Sequence, residues 1–407
     1  MTFDPKDNRT RSRPNQFILE VGPREGHLRG NDDKTLQAGA DYLRRLGGGV
    51  LHILPGEYTM NNALHLHPNL TIRGSGSETI LKKAPSTTTP LSRDSDWYEN
   101  QLMVEDPTGF APGCGILLRG WKNGTMQVVK DTLVQIDGNV LFLSRRLETN
   151  FWLQEKALAA TLFPLLTAEW VDDVIIEDLV LDGNREHNDE IDGNYAGGVF
   201  IQHCNRFILR NVSARNYNGD GFSFQVCDDV RFEGCHSENN AHLGFHPGSG
   251  SQRPIFRNCV GRRNGQGLFF CWGVTHGLVE SCTFSANEDY GISIGHRDTD
   301  NRIAACTIEG NEKAGIFFRP PASEFRGGHR NLIEANIIRD NGFKSEGIGI
   351  DLCDQTHDIE MRDNRFEDSG EGKQRIGIRT HPGAQGAKIN NNCFVNMVSE
   401  VLATKSQ

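Results

Sequence analysis

From residue 198 onward the chain alternates apolar and polar positions in short runs, and the runs return at a fixed interval. Glycines at 198, 221, 244, 267, 291 and 315, spaced 23 or 24 residues apart, each precede one such run: VFIQH, FSFQV, FHPGS, LFFCW, ISIGH and IFFRP. Two longer units follow, with IGIDL after Gly347 and IRTHP after Gly377. A second short run sits further along each unit, as in RFILRNV, VRFEGC, PIFRNC and GLVESC. Period-two alternation bounded by glycine and asparagine predicts half-buried strands. The unit is too short for a strand plus a helix, and a propeller blade needs about 40 residues. The period therefore predicts a parallel β-helix, in which each coil pairs with the next and buries one face inward.

Two residue types share the period. Cys235, Cys259, Cys282 and Cys306 recur at intervals of 24, 23 and 24 residues without any CxxC pair, which predicts small buried side chains stacked in equivalent positions rather than a metal site. Asn240, Asn264, Asn287, Asn311 and Asn341 follow the same rhythm and are expected in turns, bonding to backbone in the next coil and tolerating left-handed backbone.

Upstream, DDKTLQAGADYLRRLGGG reads as a capped helix with Asp32 or Asp33 at its start, Leu36, Ala40, Leu43 and Leu46 on one face, and Gly47 at its end. Such a helix would cover the open end of the solenoid. GVLHILPGEYTM and NLTIRGSGSETILKK read as the first coils. Residues 84–170 break the period, and the hairpin-like GILLRGWKNGTMQVV and VQIDGNVLFLSRRL mark an inserted β-rich excursion that can wall a groove. The expected organisation is all-β: cap and first coils at 1–83, insert at 84–170, and coils with a C-terminal cap at 171–407.

Composition narrows the partners. A formal net charge of −10 argues against nucleic acid, since no basic tract is present to displace counterions, yet it permits an anionic sugar held by locally concentrated arginines. No apolar run approaches the length of a membrane span. MTFDPKDNRTRSRPNQF has no apolar stretch after its charges, so a cytoplasmic chain and a secreted one whose signal has been removed both fit. A solenoid of this length also offers sides and ends through which a homo-oligomer could form.

The segment AGADYLRRLGGGVLHILPGEYTMNNALHLHPNLTIRGSGSETIL resembles the N-terminal region of the pectate-lyase-like, right-handed parallel β-helix proteins. The periodic coils extend that resemblance over most of the chain outside the insert. It implies a right-handed parallel β-helix and a poly- or oligosaccharide partner. It does not choose among lyases, glycoside hydrolases, uronate epimerases and tailspikes. GDGFSFQVCDDVRFEGC and YGISIG are similar to polygalacturonase-like hydrolases, but the coil on which that family carries paired aspartates reads NNAHLGFHPGS here.

Alternation along strands and stacking between coils place equivalent residues in columns. With the first and third residues of each strand inward, the fourth position reads Gln202, Gln225, Gly248, Cys271, Gly295, Arg319, Asp351 and His381. The second reads Phe200, Ser223, His246, Phe269, Ser293, Phe317, Gly349 and Arg379. Trp272, His296 and Arg297 lie just past the strand. Aromatic rings among His, Arg and Asp suit sugars, so Gln202, Gln225, Phe269, Trp272, Phe317, Arg379 and His381 are expected to bind substrate. Gly295 is expected to leave space in the groove.

Three functional readings follow. Glycoside hydrolysis, placed first, needs two carboxylates about 5 to 9.5 Å apart, for which Asp351 with Asp298 or Asp220 are the candidates. Lyase or epimerase chemistry on a uronate needs a base for the C5 proton and positive charge beside the carboxylate; His246 or His296, with Arg297 and Arg319, could supply them. Glycan binding without turnover is the third. No metal site is assigned, although the loop LDGNREHNDEIDGNY, with Asp182, Asn184, Asp189 and Asp192, offers oxygen atoms of the kind Ca2+ takes.

Overall fold

The computed structural model describes residues 16–190, 193–194 and 197–404; the charged N-terminal segment and Asp192 singled out above lie outside these. Eleven short strands, from Leu64–His65 through Val199–Gln202 and Tyr290–Ile294 to Ser399–Ala403, stack in parallel into one sheet. The remaining solenoid strands form a 22-stranded sheet. Each strand pairs with its counterpart one repeat away, as in Val199↔Phe222 and Phe222↔Phe245. The 23-residue period of the sequence is thus the length of one coil.

Inside, apolar side chains stack coil on coil. The rings of Phe232 and Phe256 lie 5.0 Å apart at 10°, and those of Phe222 and Phe245 5.2 Å apart at 11°. Cys235, Cys259, Cys282 and Cys306 form a buried column of free thiols. The asparagines make a continuous ladder: Asn287 Nδ2 donates to Gly261 O (3.2 Å) and to Asn311 Oδ1 (2.8 Å), while Asn287 Oδ1 accepts from Asn264 N (3.0 Å). Left-handed backbone falls one residue earlier than expected, at Asn239, Arg263, Ala286 and Asp340. The preceding residue takes the bend, which aims the asparagine amide inward along the axis.

The helix Asp33–Arg45 is capped by Asp32, whose carboxylate accepts from Thr35 N at 2.9 Å. Leu36, Ala40 and Leu43 are buried against the first coils, but Leu46 lies past the last turn and is exposed. Between Lys83 and Leu166 the chain leaves the solenoid to build a six-stranded antiparallel sheet with its own core around Ile116, Leu118, Leu141 and Phe151. Lys83 marks the junction: fully buried, it donates to Phe163 O (3.0 Å), and burial pulls its pKa down to about 7. No helix among the described residues is long and apolar enough to cross a membrane.

Candidate active site on the outward sheet

Period-two alternation sends every second side chain of the eleven-stranded sheet outward. One column runs Thr167, Phe200, Ser223, His246 and, further on, Ser293, Phe317, Asp351 and Arg379. Asp351 therefore stands beside Phe317 and Arg379, not beside Arg319 as the sequence columns had it. The cause is the glycine stack. A side chain at Gly315 would strike Gly349 O, and one at Gly349 would strike Gly377 O, so Gly349, not Gly347, precedes this strand in register. The shift of two residues keeps Asp351 on the outward face, changes its column, and puts Cys353 in the place assigned to it. Because of it, sequence columns miss Cys353.

The most constrained chemistry lies around His246. Its Nδ1 is 2.8 Å from Asp220 Oδ2 and 3.4 Å from Ser223 Oγ, which in turn donates to Asn194 Oδ1 at 2.9 Å. Asp220 is buried and also accepts from Leu243 N (3.0 Å), so it orients the imidazole rather than facing a ligand. Burial pushes the His246 pKa down, but the hydrogen bond and charge of Asp220, helped by Cys271, outweigh this and lift it to about 9. The imidazole Nε2 is shut off from solvent with no hydrogen-bond partner.

Phe269 joins this pair to a cation. Its ring meets His246 edge-on at 5.5 Å and carries the Arg319 guanidinium 4.0 Å from its centroid. Arg319 donates to Ser293 Oγ (2.8 Å), Phe270 O (2.6 Å) and Asp298 Oδ2 (3.1 Å). Its side chain fills the space over Gly295, where an added Cβ would lie 3.0 Å from Arg319 Cβ and Nε; the glycine makes room for the arginine, not for substrate.

Asp298 is fully buried and accepts from Gly273 N, Val274 N and Gly295 N as well as from Arg319. Burial lifts its pKa to about 6 against the pull of Arg319 and those amides. It anchors Arg319 and is out of reach of a sugar. Asp351 lies four coils beyond His246, about 19 Å along the axis at about 4.8 Å per coil, and a coil further from the strand that follows Asp220. The paired carboxylates required for hydrolysis are not assembled from Asp220, Asp298 and Asp351.

His296 and Arg297 have left the strand with left-handed backbone. His296 stacks on the exposed Trp272 (5.2 Å, 11°), and burial, Arg319 and Arg326 hold its pKa down. Trp272 and Arg297 line a cavity of about 670 Å³ on the flank, with Phe325, His329 and His357. Gln202 and Gln225 sit half-buried at the strand ends. Phe200, expected at the surface, is fully buried, with Lys130 of the insert 4.2 Å from its ring centroid. The insert and the first coils enclose a second cavity of about 550 Å³, lined by His65, Lys130, Arg145, Thr167, Glu169 and Trp170, at the head of the His246 column. Phe317 stacks on Tyr290 (4.4 Å). Asp351, Arg379 and His381 form a separate group.

The sequence of the "Right handed beta helix region" family aligns with residues 197–324. The A-module of the mannuronan C-5 epimerase AlgE4 from Azotobacter vinelandii superposes with a TM-score of 0.58 at 14% identity, over 95% of this chain and 100% of the module. The fold is that of the right-handed parallel β-helix proteins. ORF18 of Geobacillus virus E2 gives 0.57 at 12% identity, over 94% of this chain and 62% of that one. A glycoside hydrolase gives 0.52 at 11%, over 93% and 96%. No curated protein matches the sequence. These β-helices pair one scaffold with differently named activities, so the side chains on the outward sheet must decide what this one does.

Proposed function

We propose that this β-helix acts on a uronate-containing saccharide laid along the outward sheet, with His246 as the proton-transfer group, Asp220 as its positioning partner and Arg319 as the charge-stabilising cation. The observation that carries this reading is that the His246 imidazole and the Arg319 guanidinium both pack against one ring, Phe269. Abstraction of the C5 proton leaves its electron pair delocalised into the sugar carboxylate as an enediolate, which a nearby guanidinium stabilises. Return of a proton to the opposite face gives the epimer; departure of the C4 oxygen with a proton gives the unsaturated sugar. A carboxylate pair is needed for neither.

The named activity of the mannuronan C-5 epimerase module, with which this chain shares its fold, agrees with that chemistry. A base must be neutral, so a pKa of about 9 for His246 makes the reaction accelerate as pH rises toward that value. Since Nε2 is shut off from solvent, a substrate reaches it past the half-buried Cys271 or through its thiol. That closure also favours a second reading, in which the face binds a glycan without turning it over.

The test is incubation with polymannuronate and polygalacturonate in D2O. Deuterium at C5 without chain cleavage supports epimerisation, and unsaturated ends support elimination; either should be lost in His246→Ala and in Arg319→Met. New reducing ends without unsaturation would show hydrolysis and refute the proposal. Retention on a glycan column with no chemical change would establish binding alone.

A further inference from the structure

Four coils beyond His246, the outward sheet carries a second constellation that the proposed chemistry does not use. Asp351 and, just past the strand Ile348–Leu352, Cys353 point the same way because they are two residues apart. His381 follows the next strand, Ile376–Thr380, its amide donating to Leu352 O at 3.0 Å. One oxygen of Asp351, Sγ of Cys353 and a ring nitrogen of His381 all lie within 4.8 Å of one another. His381 Nε2 is 3.2 Å from Asp351 Oδ1, yet it is shut off from solvent and makes no hydrogen bond. A buried ring nitrogen beside a carboxylate and a thiol, without a hydrogen bond, is poised to share an ion with them.

We infer that Asp351, Cys353 and His381 form a binding site for a divalent transition metal of the zinc class. Nitrogen, sulfur and oxygen donors together select zinc or cobalt over calcium or magnesium, which take oxygen alone. Three protein ligands leave a fourth tetrahedral position for water or a sugar oxygen. Asp351, Glu346 and Asp354 set three negative charges against the one positive charge of Arg379, a surplus that favours a cation, and binding releases the Cys353 proton. Arg379 grips both Asp351 oxygens (2.9 and 2.5 Å) and also Glu346 (2.6 Å). It is placed to hold the ligating carboxylate from the second coordination layer, with Glu346 compensating its charge.

The experiment titrates Co2+ into the reduced, metal-stripped full chain. Expected are saturation at one ion per chain and a thiolate-to-cobalt charge-transfer band, with displacement by Zn2+. Cys353→Ser should lose the band and His381→Ala should lose stoichiometric binding, while Cys393→Ser, at an exposed cysteine, should retain both. Circular dichroism of each variant establishes that it is folded. A wild-type chain without the band, or a band that survives Cys353→Ser, would overturn the assignment. Neither readout depends on saccharide turnover, so the metal site and the function proposed around His246 stand or fall separately.

Discussion

Replacing Asp220 by Asn should reverse the sign with which His246 links stability to pH. In the native chain the imidazole is lifted from 6.5 to about 9, so the protonated form is favoured in the folded state. That stabilisation is fully present below pH 6.5 and is lost as pH rises through about 9. A displacement of that size corresponds to about 3 kcal/mol. Asparagine keeps the shape but removes the charge, leaving burial, the largest influence on His246, opposed by Cys271 alone. The pKa then falls below 6.5, and the residue's contribution grows as pH rises through the new value instead of shrinking. The ring resonances of His246, followed by NMR in both proteins, read the two titrations directly. They need no assumption that a long solenoid unfolds in one step. Denaturant unfolding at a series of pH values then supplies the sign of the slope. A native imidazole that titrates near 6.5, or an Asp220→Asn protein with an unchanged titration, would refute the claim that this carboxylate holds the proton.

Other expectations are more local. Asn287→Ala removes the bonds to Gly261 O and Asn311 Oδ1 and leaves Asn264 N without its acceptor inside the ladder; at about 1–3 kcal/mol for the orphaned amide and about 1 kcal/mol for each donated bond lost, a loss of about 3–5 kcal/mol is expected in denaturant unfolding, and a change below about 1 kcal/mol would show that the ladder is dispensable. Arg319→Met strands Asp298 in the interior without its cation and should cost about 3–5 kcal/mol near neutral pH. Burial already lifts that carboxyl to about 6 against the pull of Arg319, and loss of the cation lifts it further, so the cost should shrink as pH falls toward about 6 and the carboxyl takes up its proton; a pH-independent loss would contradict the buried-charge explanation. Cys271→Ala should weaken the alkaline shift of His246 while leaving the fold intact; if turnover rises, the thiol acts as a cover, and if turnover vanishes, it passes the proton.

The coil length, the parallel stacking and the inward column of cysteines were legible in the chain because each repeats in sequence what repeats in space. The amphipathic helix was legible for a similar reason, since its apolar face and Asp32 cap are local. The outward direction of His246, Phe269, Arg319 and Asp351 also followed from sequence, because alternation survives any shift of two residues. The column of Asp351 did not: coil lengths vary late in the chain, and only backbone contact between Gly315, Gly349 and Gly377 fixes which residues are neighbours. Nor could spacing tell that Arg319 folds back over Gly295 onto Phe269, or that Asp298 is sealed inside. Those depend on where long side chains lie between coils. Sequence period sets the axis of a solenoid and the face a residue occupies; register and burial, which need the stacked neighbours in place, decide which charges meet.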